Sequence, residues 1–218
     1  MFRTWMWAKL FHDLPVFLSG FGMTLLVSFV ALILMIILSV IVGVARVSDS
    51  KALKAICGAY LSFFQNTPLM IQVFFFYNVL PRFGIMLPTF TVGSLSLCLY
   101  TAAFGGSVIE SAILAVPHGQ FEAAYSQGFT FLRTMWLIIL PQALKVAIPP
   151  MTNQMINLIK NSSILTVIAL GELMYKTNSW SNEFAIFGPT YLLAAVLYVA
   201  VCLPLTRFSK KMEDKLVK

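Results

Sequence analysis

Long runs without a charged residue divide the chain into candidate membrane-spanning segments. Four runs, 14–45, 55–81, 83–109 and 184–206, exceed the roughly 20 residues that a helix needs to cross the hydrocarbon core of a bilayer. A fifth run, 146–171, is interrupted only by Lys160. No stretch shows the period of two that is typical of a membrane β-strand. The pattern therefore predicts five membrane-spanning helices, since a helix satisfies its own backbone hydrogen bonds in lipid.

The composition also indicates a membrane protein. Hydrophobic residues make up 59% of the chain, charged residues only 11%, and the mean hydropathy is +0.87. Soluble domains contain about 25% charged residues. A soluble fold of this length would have too little polar surface to cover so much apolar sequence, so the composition excludes that class.

The net charge of +7 is distributed unevenly over the predicted loops. If the five helices alternate in direction, ten of the fifteen basic residues lie on one side of the membrane: Arg46, Lys51, Lys54, Arg133, Lys145, Arg207, Lys210, Lys211, Lys215 and Lys218. The positive-inside rule places this side in the cytoplasm. It predicts an external amino terminus and a cytoplasmic carboxyl terminus. Because the basic residues are explained by orientation, we expect no nucleic acid partner.

The two ends are expected to flank a membrane domain at 14–208. Residues 1–13 carry Trp5 and Trp7, which are typical of the headgroup level, so this segment is predicted to be interfacial. The apolar run that follows is too long for the core of a signal peptide and has no cleavage site of small residues close behind it. Residues 209–218 are expected to form a cytoplasmic tail.

Motifs of nucleotide-binding and catalytic domains are missing from the sequence. It contains no GxxxxGK[ST] phosphate-binding loop, no HExxH motif and no GxSxG nucleophile motif. The cysteines are scattered through apolar sequence, and the two histidines are isolated from other metal-ligating residues. We therefore expect no enzyme activity, no cofactor and no metal site.

The longest predicted cytoplasmic loop, 117–145, contains an ordered series of helix signals. Pro117 is suited to the first turn of a helix, 120–127 contains good helix formers, and Gly128 can end the helix. A second amphipathic run, 129–140, is expected to stop at Pro141. Taken alone, these residues could form a connector that lies on the membrane surface.

The spacing in this loop is more specific, and it resembles the EAA loop of bacterial ABC-importer permeases. Glu122, Ala123 and Ala124 are followed after three residues by Gly128, and after nine more by "IILP" at 138–141. The stretches "NTPLMIQVFFFY" (66–77), "VPHGQFEAA" (116–124), "LPQALKVAIPPMTNQMINLIKNSSI" (140–164) and "MEDKL" (212–216) resemble permease subunits for polar amino acids. The resemblance extends from about residue 20 to the end.

This resemblance implies an all-α membrane protein with the type I ABC-importer permease fold, in the bacterial cytoplasmic membrane. It implies an identical or homologous second permease, a dimer of ATPase subunits that hydrolyse ATP, and an external amino-acid-binding protein. The loop 117–141 would then contain a short coupling helix that sits in a groove of the ATPase. The residues expected to couple are Glu122, Ala123, Ala124, Gly128 and Pro141.

Polar residues within the predicted spans mark a candidate path for the substrate. Lys160 would cost roughly 2.5–3.5 kcal/mol if it faced lipid at the centre of a helix, so it needs a partner or water. Pro68 is expected to interrupt the second span and to free backbone groups. The candidate substrate-binding residues all have amide, hydroxyl or ammonium side chains: Asn66, Thr67, Gln72, Gln154, Asn157, Lys160, Asn161 and Ser163. Polar contacts between helices, and snorkelling of Lys160, are the alternatives.

Some positions depart from the pattern of the resembled family. The sequence Lys-Asn-Ser-Ser at 160–163 stands where many relatives have Lys-Asp-Thr-Ser. The lost carboxylate would have paired with a basic substrate, so an acidic or amide side chain is favoured. Gln65 replaces a common arginine, and Ser107 and Glu110 replace an acid and an arginine. Glu110 is therefore expected to lack its family partner.

Two other functional classes remain as alternatives. An energy-independent channel or secondary carrier for a small polar solute would be favoured by inverted repeats, and the sequence shows no internal repeat. A membrane enzyme would need a cluster of titratable groups in a pocket. Only Lys160 and Glu110 are candidates, and they lie on different predicted helices.

Overall fold

A computed structural model describes residues 3–216. The described residues form helices joined by short turns and contain no strand, so the predicted all-α fold class is confirmed. The α-helices are α1 Thr4–His12, α2 Leu14–Val47, α3 Lys51–Asn66, α4 Leu69–Phe74, α5 Thr89–Leu114, α6 His118–Ser126, α7 Phe131–Thr134, α8 Leu140–Asn161, α9 Leu173–Phe184 and α10 Gly188–Leu216. Two π-helical turns, Phe75–Val79 and Met135–Ile139, and two 3-10 segments, Leu80–Phe83 and Ser162–Ile168, connect some of them.

Within residues 3–216, four helical segments are long and apolar enough to cross a membrane. They are Leu14–Val47, Thr89–Leu114, Phe131–Ile168 and Gly188–Lys215. Each overlaps one of the runs expected to span the membrane. The last continues past residue 208, so most of the segment expected as a cytoplasmic tail is helical in the structure.

The remaining predicted span, 55–81, is divided into two helices. Helix α3 ends at Asn66, and Thr67 adopts an extended backbone conformation with φ −116° and ψ 138°. The ring of Pro68 disfavours a helical conformation at the preceding residue, which explains the break. Helix α4 begins at Leu69. The interruption expected at Pro68 is confirmed, and this run contributes two short helices rather than one long one.

The helix after the candidate coupling loop does not stop at Pro141, so that expectation is wrong. The helical segment passes from α7 through the π turn Met135–Ile139 into α8, which contains Pro141 in its first turn. In a π turn the hydrogen bonds run from residue i to i+5, so the ladder is already altered before the proline. The side-chain amide of Gln142 donates to the carbonyl of Ile138 at 2.8 Å and satisfies one acceptor there.

The chain divides into two compact units. The first contains the described part of Met1–Leu32 together with Leu69–Leu97 and Ile156–Leu205. The second contains Ile33–Pro68, Cys98–Met155 and the described part of Thr206–Lys218. The four long helical segments therefore contribute residues to both units.

In the first unit, the amino-terminal helix α1 is held against α9. The indole N–H of Trp180 donates to Asp13 at 2.9 Å, and the ammonium of Lys9 forms an ion pair with the same carboxylate at 2.9 Å. Hydrogen bonds from His12, Lys9 and Trp180 hold the pKa of Asp13 well below its usual range. Beneath these polar contacts, Phe17 packs edge-to-face on Trp180. The interfacial location expected for 1–13 stays a prediction.

In the second unit, helices α2 and α5 approach each other closely through small residues. A Cβ atom added at Gly106 would lie 2.8 Å from Val42, and one added at Gly105 would collide with Ser39. The hydroxyl of Ser39 also interacts with the carbonyl of Ala102 at 3.5 Å. Small residues permit such close packing of helices in a membrane, where tight contact replaces the hydrophobic effect.

Candidate coupling and substrate sites

The predicted short helix in the loop 117–141 is present as α6. Pro117 precedes it with φ −55° and ψ 132°, a conformation outside the helical region, so the helix starts at His118. Gly128 has φ +80°, which a residue with a Cβ rarely adopts, and its N–H donates to the carbonyl of Tyr125 at 2.9 Å. The N–H of Phe129 donates to Ala124 at 3.1 Å. The helix therefore ends just before Gly128, as the sequence predicted.

Helix α6 has one face packed on its own chain and one exposed face. Ala124 is only 2% exposed, and the helix contacts α7 and the π turn Met135–Ile139. Glu122 is 71% exposed on its side chain and forms an exposed pair with His118 at 3.1 Å. Ala123 is also exposed. Of the two alanines, only Ala123 is accessible to a partner, while Ala124 lets α6 lie close to the segment that follows it.

Pro141, the last of the expected coupling residues, lies outside α6. It is exposed in the first turn of α8. The neighbouring Gln142 side chain is 3.3 Å from that of Gln120 in α6. Helix α6 and the start of α8 are thus joined by a side-chain contact. The coupling role of Pro141 stays a prediction.

Helix α8 carries an exposed polar stripe. Asn153, Asn157 and Lys160 are all exposed and are spaced by four and three residues, so they share one helical face. Gln154 and Asn161, at the margins of this stripe, are half-buried. In the part of the chain that the structure describes, no carboxylate forms an ion pair with Lys160. The stripe lies in a segment long and apolar enough to span a membrane.

The turn after α8, which contains Ser163, contacts the helix that contains Gln72. The hydroxyl of Ser163 donates to the carbonyl of Lys160 at 2.8 Å, at the start of the 3-10 segment Ser162–Ile168. This segment contacts α4, in which Gln72 is buried. Two of the predicted polar segments, around 72 and around 163, are therefore brought together within the first unit.

Asn66 and Thr67 lie in the second unit, as does Gln154. The amide of Asn66 donates to the carbonyl of Ser62 at 2.7 Å, and the hydroxyl of Thr67 donates to that of Phe63 at 2.8 Å. Both side chains thus bond to carbonyls of the last turns of α3. Any contact of Asn66 or Thr67 with a substrate stays a prediction.

Glu110, expected to lack its family partner, has a different one. The guanidinium of Arg46 donates to its carboxylate at 3.1 Å, and a second N–H of Arg46 donates to the carbonyl of Lys54 at 3.2 Å. The other two departures contact each other: the amide of Gln65 donates to the hydroxyl of Ser107 at 2.9 Å. The residues that depart from the family pattern therefore take part in two side-chain contacts between helices, Arg46 with Glu110 and Gln65 with Ser107.

Glu172 is a buried polar residue that the sequence analysis did not single out. It precedes α9, and its carboxylate accepts hydrogen bonds from the backbone N–H groups of Met174 and Tyr175, each at 2.7 Å. The hydroxyl of Tyr198 lies 3.4 Å from it. Burial raises the pKa of Glu172 to about 7, against the lowering effect of these hydrogen bonds. In the sequence, Glu172 is simply an acidic residue directly after an apolar run. Such a residue is common at the end of any membrane-spanning helix, so it did not indicate a buried site.

Known proteins similar to this chain are membrane components of transport systems. Residues 35–218 match the family described as "Binding-protein-dependent transport system inner membrane component". The chain is 40% identical over 209 residues to the probable glutamine ABC transporter permease protein GlnM of Bacillus subtilis (strain 168), covering 96% of this chain and 97% of that protein. It is 33% identical over 198 residues to the probable glutamine ABC transporter permease protein GlnP of the same organism, covering 89% and 91%.

A solved structure is also similar over nearly the whole chain. It is described as a crystal structure of an amino acid ABC transporter with histidines. The TM-score is 0.84 at 29% sequence identity, and the alignment covers 95% of this chain and 97% of that chain. The similarity therefore covers nearly the whole chain rather than one part of it.

Proposed function

Because the chain belongs to the binding-protein-dependent transport system inner membrane components, as an amino acid ABC transporter permease, we propose that it imports a polar amino acid with an acidic or amide side chain. Permeases of this kind are multi-pass membrane proteins that pair with each other and with separate ATPase subunits. The chain is accordingly not an enzyme. In our proposal it forms half of the translocation path.

The exposed stripe of Asn153, Asn157 and Lys160 is the observation that carries this proposal. A lysine at the centre of a helix that faces lipid costs roughly 2.5–3.5 kcal/mol on an insertion scale. Polar residues within membrane segments therefore usually face a water-filled cavity or another protein chain. An exposed polar stripe on one otherwise apolar segment is what a path between two permeases requires.

The chemistry of the stripe and of the following turn favours an acidic or amide substrate. The ammonium of Lys160 can pair with a carboxylate, and the amide groups of Asn157 and Asn161 can both donate and accept hydrogen bonds. Within 153–163 there is no carboxylate to compensate a basic side chain. The curated relatives named above are described as probable glutamine permeases, which agrees with an amide substrate.

We also propose that α6 receives the motion of the ATPase. Its exposed face, with Glu122 and Ala123, is available to a partner, whereas its buried face rests on α7 and the π turn. These elements continue without interruption into α8, which carries the polar stripe. A displacement of α6 would therefore be passed to α7 and the π turn, and from them to the start of α8.

The charge distribution supports the proposed orientation of the permease in the membrane. Basic residues lie around the end of α2, in α7 and the first half of α8, and in the last part of α10, and by the positive-inside rule they support a cytoplasmic location for these parts of the chain. Helices α1 and α9 then lie on the outer side, where a binding protein would deliver the amino acid. The inward side presents α6 to the ATPase.

Reconstitution separates this function from the alternative of an energy-independent carrier. The permease is assembled in vesicles with a cognate ATPase and binding protein, and ATP hydrolysis and uptake are measured with glutamine, glutamate and arginine. We expect glutamine or glutamate, and not arginine, to stimulate hydrolysis and to accumulate. Concentrative uptake by vesicles that contain the permease alone, without nucleotide, would contradict the proposal and support a carrier.

A further inference from the structure

Four polar side chains from four helical elements meet in the interior of the first unit. Thr24 of α2, Ser162 of the 3-10 segment and Glu172 before α9 are all fully buried. Tyr198 of α10 joins them, since its hydroxyl lies 3.4 Å from the Glu172 carboxylate and also interacts with the hydroxyls of Ser162 and Thr24. Ser162 is part of the Lys-Asn-Ser-Ser turn at 160–163. The cluster therefore includes one residue of the turn that carries the candidate substrate residues Lys160, Asn161 and Ser163.

The pattern of hydrogen bonds in this cluster depends on the protonation state of Glu172. The proton of the Ser162 hydroxyl is donated to the carbonyl of Ile159 at 2.7 Å, so Ser162 can only accept a bond from Tyr198. Tyr198 has a single hydroxyl proton. When Glu172 is ionised, this proton is drawn to the carboxylate. When Glu172 is protonated, the carboxyl can itself donate to Tyr198, and the proton of Tyr198 is available to Ser162.

The surroundings of Glu172 make a change of charge possible near neutral pH. Its side chain is fully buried, and burial raises its pKa to about 7. The titratable residues nearby are Tyr198 of α10, and Tyr175 and Lys176 of its own helix, while α2 and the 3-10 segment present Thr24 and Ser162. Among the described residues, no cation forms an ion pair with the Glu172 carboxylate. Its charge state is thus set mainly by burial and hydrogen bonds.

We propose that Glu172 is a positioning residue for the turn 160–163. Through Tyr198 it determines whether Ser162 receives a hydrogen bond, and thereby how firmly Lys160, Asn161 and Ser163 are held for the substrate. The protonated state anchors the turn and gives the tighter binding. This inference rests on the proposed function, in which that turn contacts the amino acid.

Direct binding of glutamine to the assembled permease–ATPase complex in nanodiscs, without binding protein, tests the inference. For the wild type, we expect the Kd to rise about 2- to 10-fold between pH 6 and pH 8, the range that one hydrogen bond supplies. Glu172→Gln keeps an acceptor for a backbone N–H and a donor for Tyr198, but it cannot ionise. Its Kd should stay at the low-pH value of the wild type throughout. Glu183→Gln, at an exposed carboxylate on the same helix, should behave as the wild type.

A second variant distinguishes the proposed role of Glu172 from a general loss of stability. Tyr198→Phe leaves Glu172 able to ionise but removes the hydroxyl that links it to Ser162, so its Kd should also be independent of pH. If Glu172→Gln fails to fold, the Tyr198→Phe variant alone tests the inference. A Tyr198→Phe or Glu172→Gln protein that keeps the pH dependence of the wild type would overturn the inference.

Failure of the underlying function would give a different result. Lys160→Ala and Asn161→Ala should weaken glutamine binding if the turn contacts the substrate. If neither substitution changes the Kd, the turn 160–163 does not contact the substrate, and the proposed role of Glu172 is then also wrong. If both weaken binding while the Glu172 and Tyr198 variants remain pH-dependent, only the positioning role is wrong.

Discussion

The close packing of α2 on α5 makes Gly43 a sensitive position. A Cβ atom added there would lie 2.6 Å from the Cβ of Ile109 and 3.1 Å from the backbone nitrogen of Glu110. Neither atom is the end of a flexible side chain. Because non-bonded carbons prefer separations of about 3.5–4.0 Å, α2 would have to move roughly 1 Å away from α5. Such a shift would also lengthen the 3.1 Å contact between Arg46 and Glu110.

Gly43→Ala is therefore expected to destabilise the permease although alanine is the better helix former. Overpacking of this kind costs about 1–3 kcal/mol, and 1 kcal/mol lowers the Tm of a domain of this size by about 2–4 °C. We expect a decrease of roughly 2–12 °C in thermal unfolding of the purified protein in detergent. Gly22→Ala on the same helix is the matched control, because a Cβ there meets nothing within 4 Å.

The comparison of the two glycines can refute the packing argument. Gly22→Ala should leave Tm unchanged or raise it slightly, since replacing glycine in a helix stabilises it by about 0.5–1 kcal/mol. Equal Tm values for Gly43→Ala, Gly22→Ala and the wild type would mean that α2 and α5 are not packed as closely as the structure describes.

Three further predictions concern the sites. Glu122→Arg should abolish co-purification of the ATPase while membrane insertion is retained; unchanged co-purification and uptake would contradict the docking role. Asn161→Asp supplies a counter-ion, so competition uptake should shift toward arginine and lysine, and an unaltered profile would count against a substrate contact. Because the folded pKa of Glu172, about 7, exceeds its unfolded value of 4.5, stability should fall by up to roughly 3 kcal/mol as pH rises between these values, and Glu172→Gln should remove that slope in melts.

The sequence predicted those parts of the fold that depend on neighbours along the chain. Apolar runs located the spanning segments, Pro68 correctly indicated the break before α4, and Gly128 correctly indicated the end of α6. Pro141 was misleading, because its effect depends on the backbone around it. Where a π turn precedes the proline and a side chain satisfies a nearby carbonyl, the helix continues.

The contacts between distant residues could not be predicted in the same way. Arg46 and Glu110 are 64 positions apart, and nothing in either neighbourhood indicates that α2 and α5 bring them together. Glu172 was missed for a related reason. Its burial comes from Thr24, Ser162 and Tyr198 on other elements, whereas the local sequence shows only a charge after an apolar run.

Accessibility of α6 from the two sides of the membrane tests the central claim most directly. A single cysteine is placed at Ser126, which is exposed at the end of α6, in a chain whose native cysteines are replaced. A membrane-impermeant thiol reagent is then applied to right-side-out and inside-out vesicles, with and without the ATPase. We predict labelling only in inside-out vesicles, and protection when the ATPase is bound. Labelling from the outside, or labelling that the ATPase does not change, would contradict the account.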